Sequence, residues 1–264
     1  MNYLISIQKD EHPYIAEWYE HHKQFGFDKI VVFNNSSVPY NIIDPLYQEI
    51  DVSKMEAPQP YCYQWFYDKV MQLGDTATIL DGDEFLFIPT NVVEFVSNYM
   101  RDCDCLRLSW KTVGDCGNVK YEDKPVLERF KEDYPIDCVF NRDLPDGITE
   151  NFHTKYIVRK TWKTTFLSIH NPIIQFGISK NVDGEIVNGD SPFMKPTWNV
   201  AYIKHMLTKS TEEFVKRRFS TKDACGNKVA TSKVLIERYF SLNERTPEKE
   251  AIFASVIEKE NKND

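Results

Sequence analysis

No run of apolar residues in this chain approaches the length needed to cross a bilayer. The first residues, MNYLISIQKDE, lack a charged stretch followed by a long apolar segment, so no signal peptide is expected. Cysteine is present without pattern: Cys62, Cys103, Cys105, Cys116, Cys138 and Cys225 form no C-x-x-C pair and have no paired histidines nearby. That spacing does not resemble a zinc site. A soluble, cytoplasmic protein with reduced thiols is the expectation. Positive charge is also in deficit, with 32 Lys and Arg against 40 Asp and Glu. A general nucleic-acid binder needs the opposite balance to displace counterions, so no nucleic-acid partner is expected. There is no internal repeat and no clean linker.

What is present is enough for a core. The chain has 264 residues, 42% of them hydrophobic and 14% aromatic, which suits one large α/β domain. Only the tail, EKENKND (258–264), has nothing to bury. YLISI (3–7) and KIVVF (29–33) read as buried strands. Between them, residues 11–26 place Ile15, Trp18, Tyr19 and His22 at helical spacing, ending at Gly26. A third strand edge near 50–55, an aromatic helix near 61–73 and a strand TATIL (76–80) follow. Strands separated by helices imply a mostly parallel sheet, whose ligands bind beyond the carboxyl ends of the strands. CLRLSWKTV (105–113) and KYIVR (155–159) are further strands. From Ser210, a good N-cap with Glu213 three residues on, the pattern turns helical, and 234–242 and 247–260 continue it. The expected organisation is a core over 1–209 with a helical C-terminal section, 210–264, packed on it as a single domain.

The strand at 76–80 runs into Asp81-Gly82-Asp83-Glu84, followed by Phe85 and Phe87. Carboxylates crowded beside apolar residues repel one another and are costly to keep ionised. A divalent cation removes that cost, and oxygen ligands favour Mg²⁺ or Mn²⁺, which keep positions open for substrate phosphates. Asn34 and Asn35 end the second strand and should share the same rim. A second Asp-x-Asp, Asp102-Cys103-Asp104, reads as a loop before a strand. Between Lys195 and Lys233 stand nine Lys or Arg against three acids, Glu212, Glu213 and Asp223. Such a surface suits a phosphate-bearing ligand or an anionic membrane face, and equally an ordinary solvated helix.

Taken in order, QKDEHPYIAEWYEHHKQFGFDKIVVFNNSS, ILDGDEFLFI, LSWKTVGDCG with VLERF, and IKHMLTKSTEEFVKRR resemble the successive blocks of family 92 and related family 2-like glycosyltransferases, over roughly residues 3–250. The resemblance implies an α/β nucleotide-sugar-binding fold of the GT-A type. It has a mostly parallel central sheet flanked by helices, and a helical C-terminal section. It implies a Mn²⁺- or Mg²⁺-dependent, inverting hexosyltransferase. The donor would be a nucleotide sugar, a UDP-hexose such as UDP-galactose. The acceptor would be a glycan or lipid-linked oligosaccharide in surface-polysaccharide assembly. Asp81 and Asp83 resemble the metal-binding acids, with Asp83 the direct ligand and Asp81 also near the donor. Asn34 and Asn35 stand where related enzymes hold an acid or amide near the nucleotide. His205 and Lys209 resemble the C-terminal pair that approaches metal and diphosphate, with Met206 replacing a usual tyrosine. His170 competes with His205 as the metal histidine. The catalytic base is expected at Asp115, with Glu150 as the alternative. Lys111 is expected beside the donor or on the surface, Trp110 against a sugar ring or in the core, and Glu128-Arg129-Phe130 in a structural role. Lys204 and Lys209 would face the diphosphate, and Lys216, Arg217 and Arg218 an anionic membrane at its inner face.

Two other classes compete. In a haloacid-dehalogenase-like phosphohydrolase Asp81 would be the nucleophile, but that family wants Thr or Val where this chain has Phe85, and its acids lie on the first strand instead of the fourth. A non-catalytic nucleotide-sugar-binding module would keep the fold alone.

Overall fold

The computed structural model describes residues 1–134, 137–138, 144–220 and 231–260. Asp223, Cys225, two of the nine basic residues between Lys195 and Lys233 (Lys222 and Lys228) and the end of the tail lie outside these. The first elements are β1 (Asn2–Gln8), α1 (Ile15–Lys23), β2 (Lys29–Asn34), β3 (Tyr47–Asp51), α2 (Gln59–Lys69) and β4 (Thr76–Asp81). Then come β5 (Glu84–Phe87), α3 (Val92–Tyr99), β6 (Cys105–Val113), α4 (Val126–Arg129), a 3-10 turn (Glu150–Phe152) and β7 (Thr154–Arg159). The short strands β8 (Thr165–Phe166), β9 (Ile173–Ile174) and β10 (Ser179–Asn181) lead to β11 (Tyr202–Met206). Three helices close the chain: α5 (Thr211–Ser220), α6 (Ser232–Leu242) and α7 (Pro247–Glu260). No helix among the described residues is long and apolar enough to cross a membrane.

The fold is α/β. One sheet carries the order β3-β2-β1-β4-β7-β6-β11-β5, with β10 beside β6. Pairings among β3, β2, β1 and β4 are parallel, as are β6 with β11 and with β10. β7 runs antiparallel to both β4 and β6, and β5 antiparallel to β11. Alternating side chains explain the two-sided core. Leu4, Ile30, Val32 and Leu80 pack with Trp18, Tyr19 and Phe95 on one face. Ile5, Val31, Phe33 and Ile79 pack with Tyr63, Phe66 and Tyr67 of α2 on the other. A third cluster, Phe214, Leu235, Tyr239 and Phe253, belongs to the C-terminal helices.

Polar ties pin those helices to the sheet. Tyr239 donates to Asp115 Oδ2 at 2.6 Å, and Lys249 meets the same oxygen at 2.6 Å. Arg129 of α4 forms a two-pronged pair with Glu213 of α5, at 2.8 and 3.0 Å. The capping box at α5 forms as the sequence indicates: Ser210 N–H donates to Glu213 Oε2 at 3.1 Å, and Glu213 N–H to Ser210 Oγ at 3.3 Å.

Candidate functional site

The sheet order makes the site. β4 and β5 are consecutive in sequence yet lie at different places in the sheet, so residues 81–84 bridge from β4 to the edge pair β5–β11. In that pair His205 is the register partner of Glu84, and Met206 N–H donates to the Asp83 carbonyl at 2.9 Å. A histidine 122 positions along the chain from Asp83 is thereby fixed next to it by strand pairing. From beneath, α1 clamps the acid turn. The buried Trp18 indole N–H reaches the carbonyls of Glu84 (2.9 Å) and Asp81 (3.2 Å). His22 accepts from Leu86 N–H through Nε2 at 3.1 Å, and its Nδ1 is 2.7 Å from the Trp18 carbonyl. Gly82 lets the turn lie against β1: a Cβ there would meet Glu11 Cγ at 3.0 Å and Gln8 Cδ at 3.1 Å.

The acids then divide. Asp81 turns to Lys155 Nζ (2.7 Å) and Gln59 Nε2 (2.7 Å). Glu84, fully buried, lies 3.5 Å from the same ammonium and accepts from Asp81 N–H at 2.7 Å. One ammonium thus serves two carboxylates. Burial pushes Glu84 up to about 8, with Lys155 opposing and Asp81 adding to the shift. Asp83, 2% exposed, turns the other way. Its Oδ2 lies 3.5 Å from His205 Nε2 and accepts a charge-assisted hydrogen bond from Arg217 of α5. Burial works against ionisation of Asp83, but Arg217 and then His205 overcome it and hold the carboxyl well below the usual range.

Beside Arg217 a cavity of about 230 Å³ opens between the β1–α1 loop and the start of α5. Lys9, Asp10, Glu11 and Tyr14 line one wall, and Lys209, Lys216 and Arg217 the other. Lys209 Nζ is 3.3 Å from Glu11 Oε2 and 3.5 Å from the centre of the Tyr14 ring. Two wall residues, Asp10 (φ 57°) and Lys209 (φ 53°), hold left-handed backbone without being glycine. Such strain persists where surrounding contacts over-determine it, and it concentrates at functional sites.

Behind His205 lies a stack of rings. Trp110 sits 4.1 Å from His205, 4.7 Å from His153 and 5.2 Å from His170, centre to centre. Burial holds His153 down at about 4 and His170 well below the usual imidazole range. His205 Nδ1 and Trp110 Nε1 are buried without a hydrogen-bond partner.

Asp81, Asp83, His205 and Lys209 are therefore brought to one rim, as the sequence leads one to expect. Asn34 and Asn35 share the rim of strand ends, beside Gln8 of β1, but their side chains and those of the other expected residues are engaged elsewhere. Asn34 is spent closing its own loop, through Val38 O and Glu49, and Asn35 holds Val52 O and Met55 O. Lys111 projects from the opposite face of β6 to Trp110, pairs with Asp133 at 2.8 Å and lies over the Tyr202 ring. Lys204 shares that face and the same partner, at 3.2 Å, so it does not face the cavity. Asp115 is 4% exposed and committed to Tyr239, Lys249 and the Gly117 N–H, which makes it an anchor for the C-terminal helices. Glu150 packs 3.5 Å from His153. His170 stays with Thr154 O and the Trp110 stack. Arg217 is turned inward onto Asp83 and not outward towards a membrane.

Glu11, Tyr14 and Lys155 carry no motif in the sequence. Only the rule that ligands gather at strand ends points to Glu11, three residues beyond β1.

No family model and no curated protein matches the chain. Among solved structures it is similar to S. aureus TarS 1–349, at 15% identity and a TM-score of 0.34, over 60% of this chain and 47% of that one. It is similar also to TarS 1–349 in complex with UDP, at 13% identity and a TM-score of 0.34, over 60% and 46%. The chain thus spans just under half the length of those proteins. A likeness this loose assigns neither a ligand nor a residue role.

Proposed function

We propose that this protein is a glycosyltransferase that takes a sugar from a nucleoside diphosphate donor, with a divalent cation at the acid turn. The observation that carries the reading is the cavity at the strand rim, lined by Lys9, Lys209, Lys216 and Arg217 as well as by acids and strained at Asp10 and Lys209, which Arg217 links to the Asp83–His205 pair.

Among the described residues no group of three His, Cys, Asp or Glu side chains is arranged to hold a metal. Mg²⁺ and Mn²⁺ are commonly held by one or two protein groups with phosphates supplying the rest, and Asp83 with His205 fits that description. Asp83 and His205 would hold the ion, whose charge would offset that growing on the leaving diphosphate. Lys209, Lys9 and Lys216 line the cavity as the phosphate partners. Asp81, braced by Lys155 and Gln59, fixes the turn. In the transfer, an acceptor hydroxyl oxygen bonds to the anomeric carbon, the bond to the diphosphate oxygen breaks, and the hydroxyl proton passes to a carboxylate. Glu11 is the cavity acid placed beside the turn to receive it. UDP-hexose as donor and a glycan or lipid-linked acceptor follow from the resemblance in the sequence. The phosphohydrolase alternative asks Asp81 to attack phosphorus, and both its oxygens are committed to Gln59 and Lys155.

The test is a panel of UDP-hexoses with Mn²⁺, following UDP release with and without an oligosaccharide acceptor. Release from at least one donor, abolished in Asp83→Asn, is expected. Release of inorganic phosphate from simple phosphoesters, with every donor inert, would overturn the assignment.

A further inference from the structure

Two of the three cations on the far wall of the cavity are already paired, and with acids of the β1–α1 loop and the acid turn. Arg217 sits on Asp83, and Lys209 lies 3.3 Å from Glu11. The guanidinium occupies the side of Asp83 next to His205, because both contact the same oxygen, Oδ2. A cation approaching that oxygen must displace Arg217. The Arg217 side chain is 39% exposed while Asp83 is 3% exposed, so the arginine can leave into the cavity and the aspartate cannot follow. The wall it would swing along holds Lys209 and Lys216, so an anion entering there meets three basic side chains.

We propose that Arg217 is a placeholder for the cation and that donor binding is a partner exchange. The divalent ion takes Asp83 from Arg217, while the diphosphate takes Arg217 from Asp83 and Lys209 from Glu11. This rests on the functional reading above and adds a regulation of the same site. The ion alone must expel a charge-assisted hydrogen bond and take the buried carboxylate away from Arg217. The diphosphate alone must separate Arg217 from a buried carboxylate that is then left with His205 only, at 3.5 Å. Each half is unfavourable alone, and the two together give Asp83, Arg217 and Lys209 new partners, leaving Glu11 as the one group released. Cation and diphosphate are therefore strongly synergistic, by a coupling that is the same whichever binds first. Glu11, released by Lys209, becomes available only when the diphosphate is in place.

Calorimetric titration of Mn²⁺ alone, inorganic pyrophosphate alone and the two together tests this, on wild-type protein, Arg217→Met and Arg217→Lys. In the wild type, the mixture is expected to bind at least about tenfold more tightly than either component predicts. In Arg217→Met, Mn²⁺ alone is expected to bind about tenfold more tightly than in the wild type, and Mn²⁺–pyrophosphate more weakly. Opposite signs from one substitution are the signature, since a merely unfolded or loosened variant loses both. Arg217→Lys, which keeps the charge on a shorter reach, is expected to retain part of the synergy. Mn²⁺–pyrophosphate bound by the wild type, with Mn²⁺ affinity unchanged or lower in Arg217→Met, overturns the exchange and leaves the transferase reading standing. Absence of Mn²⁺ and pyrophosphate binding in all three proteins overturns both.

Discussion

Replacing Glu213 by Gln should remove one defined part of the acid dependence of stability, by an amount the structure allows to be worked out. Glu213 caps α5, pairs with Arg129 at 2.8 and 3.0 Å and accepts from the Tyr14 hydroxyl at 2.7 Å. Burial works against its charge, but Arg129, Ser210 and Tyr14 hold the carboxyl at about 2, against an ordinary 4.5. At about 1.4 kcal/mol per pKa unit, this difference corresponds to about 3 kcal/mol of folding stability. The unfolded chain binds the proton more tightly, so the contribution is complete above the ordinary value of 4.5 and is lost as pH falls towards about 2. Glu213→Gln leaves the buried Arg129 without its counter-charge, which is the same loss seen from the other partner and not a second one. Urea unfolding of both proteins across that range measures it. The deficit of the variant should be about 3 kcal/mol near neutral pH and shrink steadily below about pH 4.5. A deficit below about 1 kcal/mol, or one that does not change with pH, would refute the assignment of Glu213 as the strap that holds α5, and with it Arg217, over the acid turn.

Three further outcomes follow from the same contacts. Trp18→Phe removes the N–H that reaches the carbonyls of Asp81 and Glu84, and should cost about 1–3 kcal/mol in thermal unfolding while also weakening Mn²⁺ binding, because the turn loses its clamp. Asp115→Asn should destabilise by about 3–5 kcal/mol, since Lys249 is left buried without its charge partner. At a temperature where it remains folded its turnover should be near that of the wild type, whereas a catalytic base would lose turnover at full stability. His153, held at about 4 by burial, binds a proton more readily when unfolded, so stability should fall as pH drops from about 6.5 to 4. The variant His153→Phe should flatten that part of the profile in pH-dependent thermal melts.

Much of the fold was legible because it rests on local patterns. The apolar runs that became β1, β2, β4 and β6 needed no partner to be recognised, and Ser210 with Glu213 announced α5 through a capping box that forms as expected. Direction was not legible: a buried strand reads the same whichever way it runs, and so the antiparallel placement of β7 was invisible. The acid turn was readable as three carboxylates after a buried strand. What each acid does was not, because their partners are distant in sequence: Lys155 lies 74 residues from Asp81 and Arg217 lies 134 residues from Asp83. Asp115 looked like a rim acid for the same reason, since the lysine and tyrosine that claim it lie on helices near the end of the chain.

The central claim is that Asp83 and the cavity beside it form a site for a cation and a nucleoside diphosphate together. The most direct measurement is calorimetric titration of UDP into wild-type protein and Asp83→Asn, each with and without Mn²⁺. Binding that depends on Mn²⁺ is expected in the wild type, with that dependence lost in Asp83→Asn. UDP bound equally well with and without Mn²⁺ and in both proteins, or not bound at all by the wild type, would contradict it.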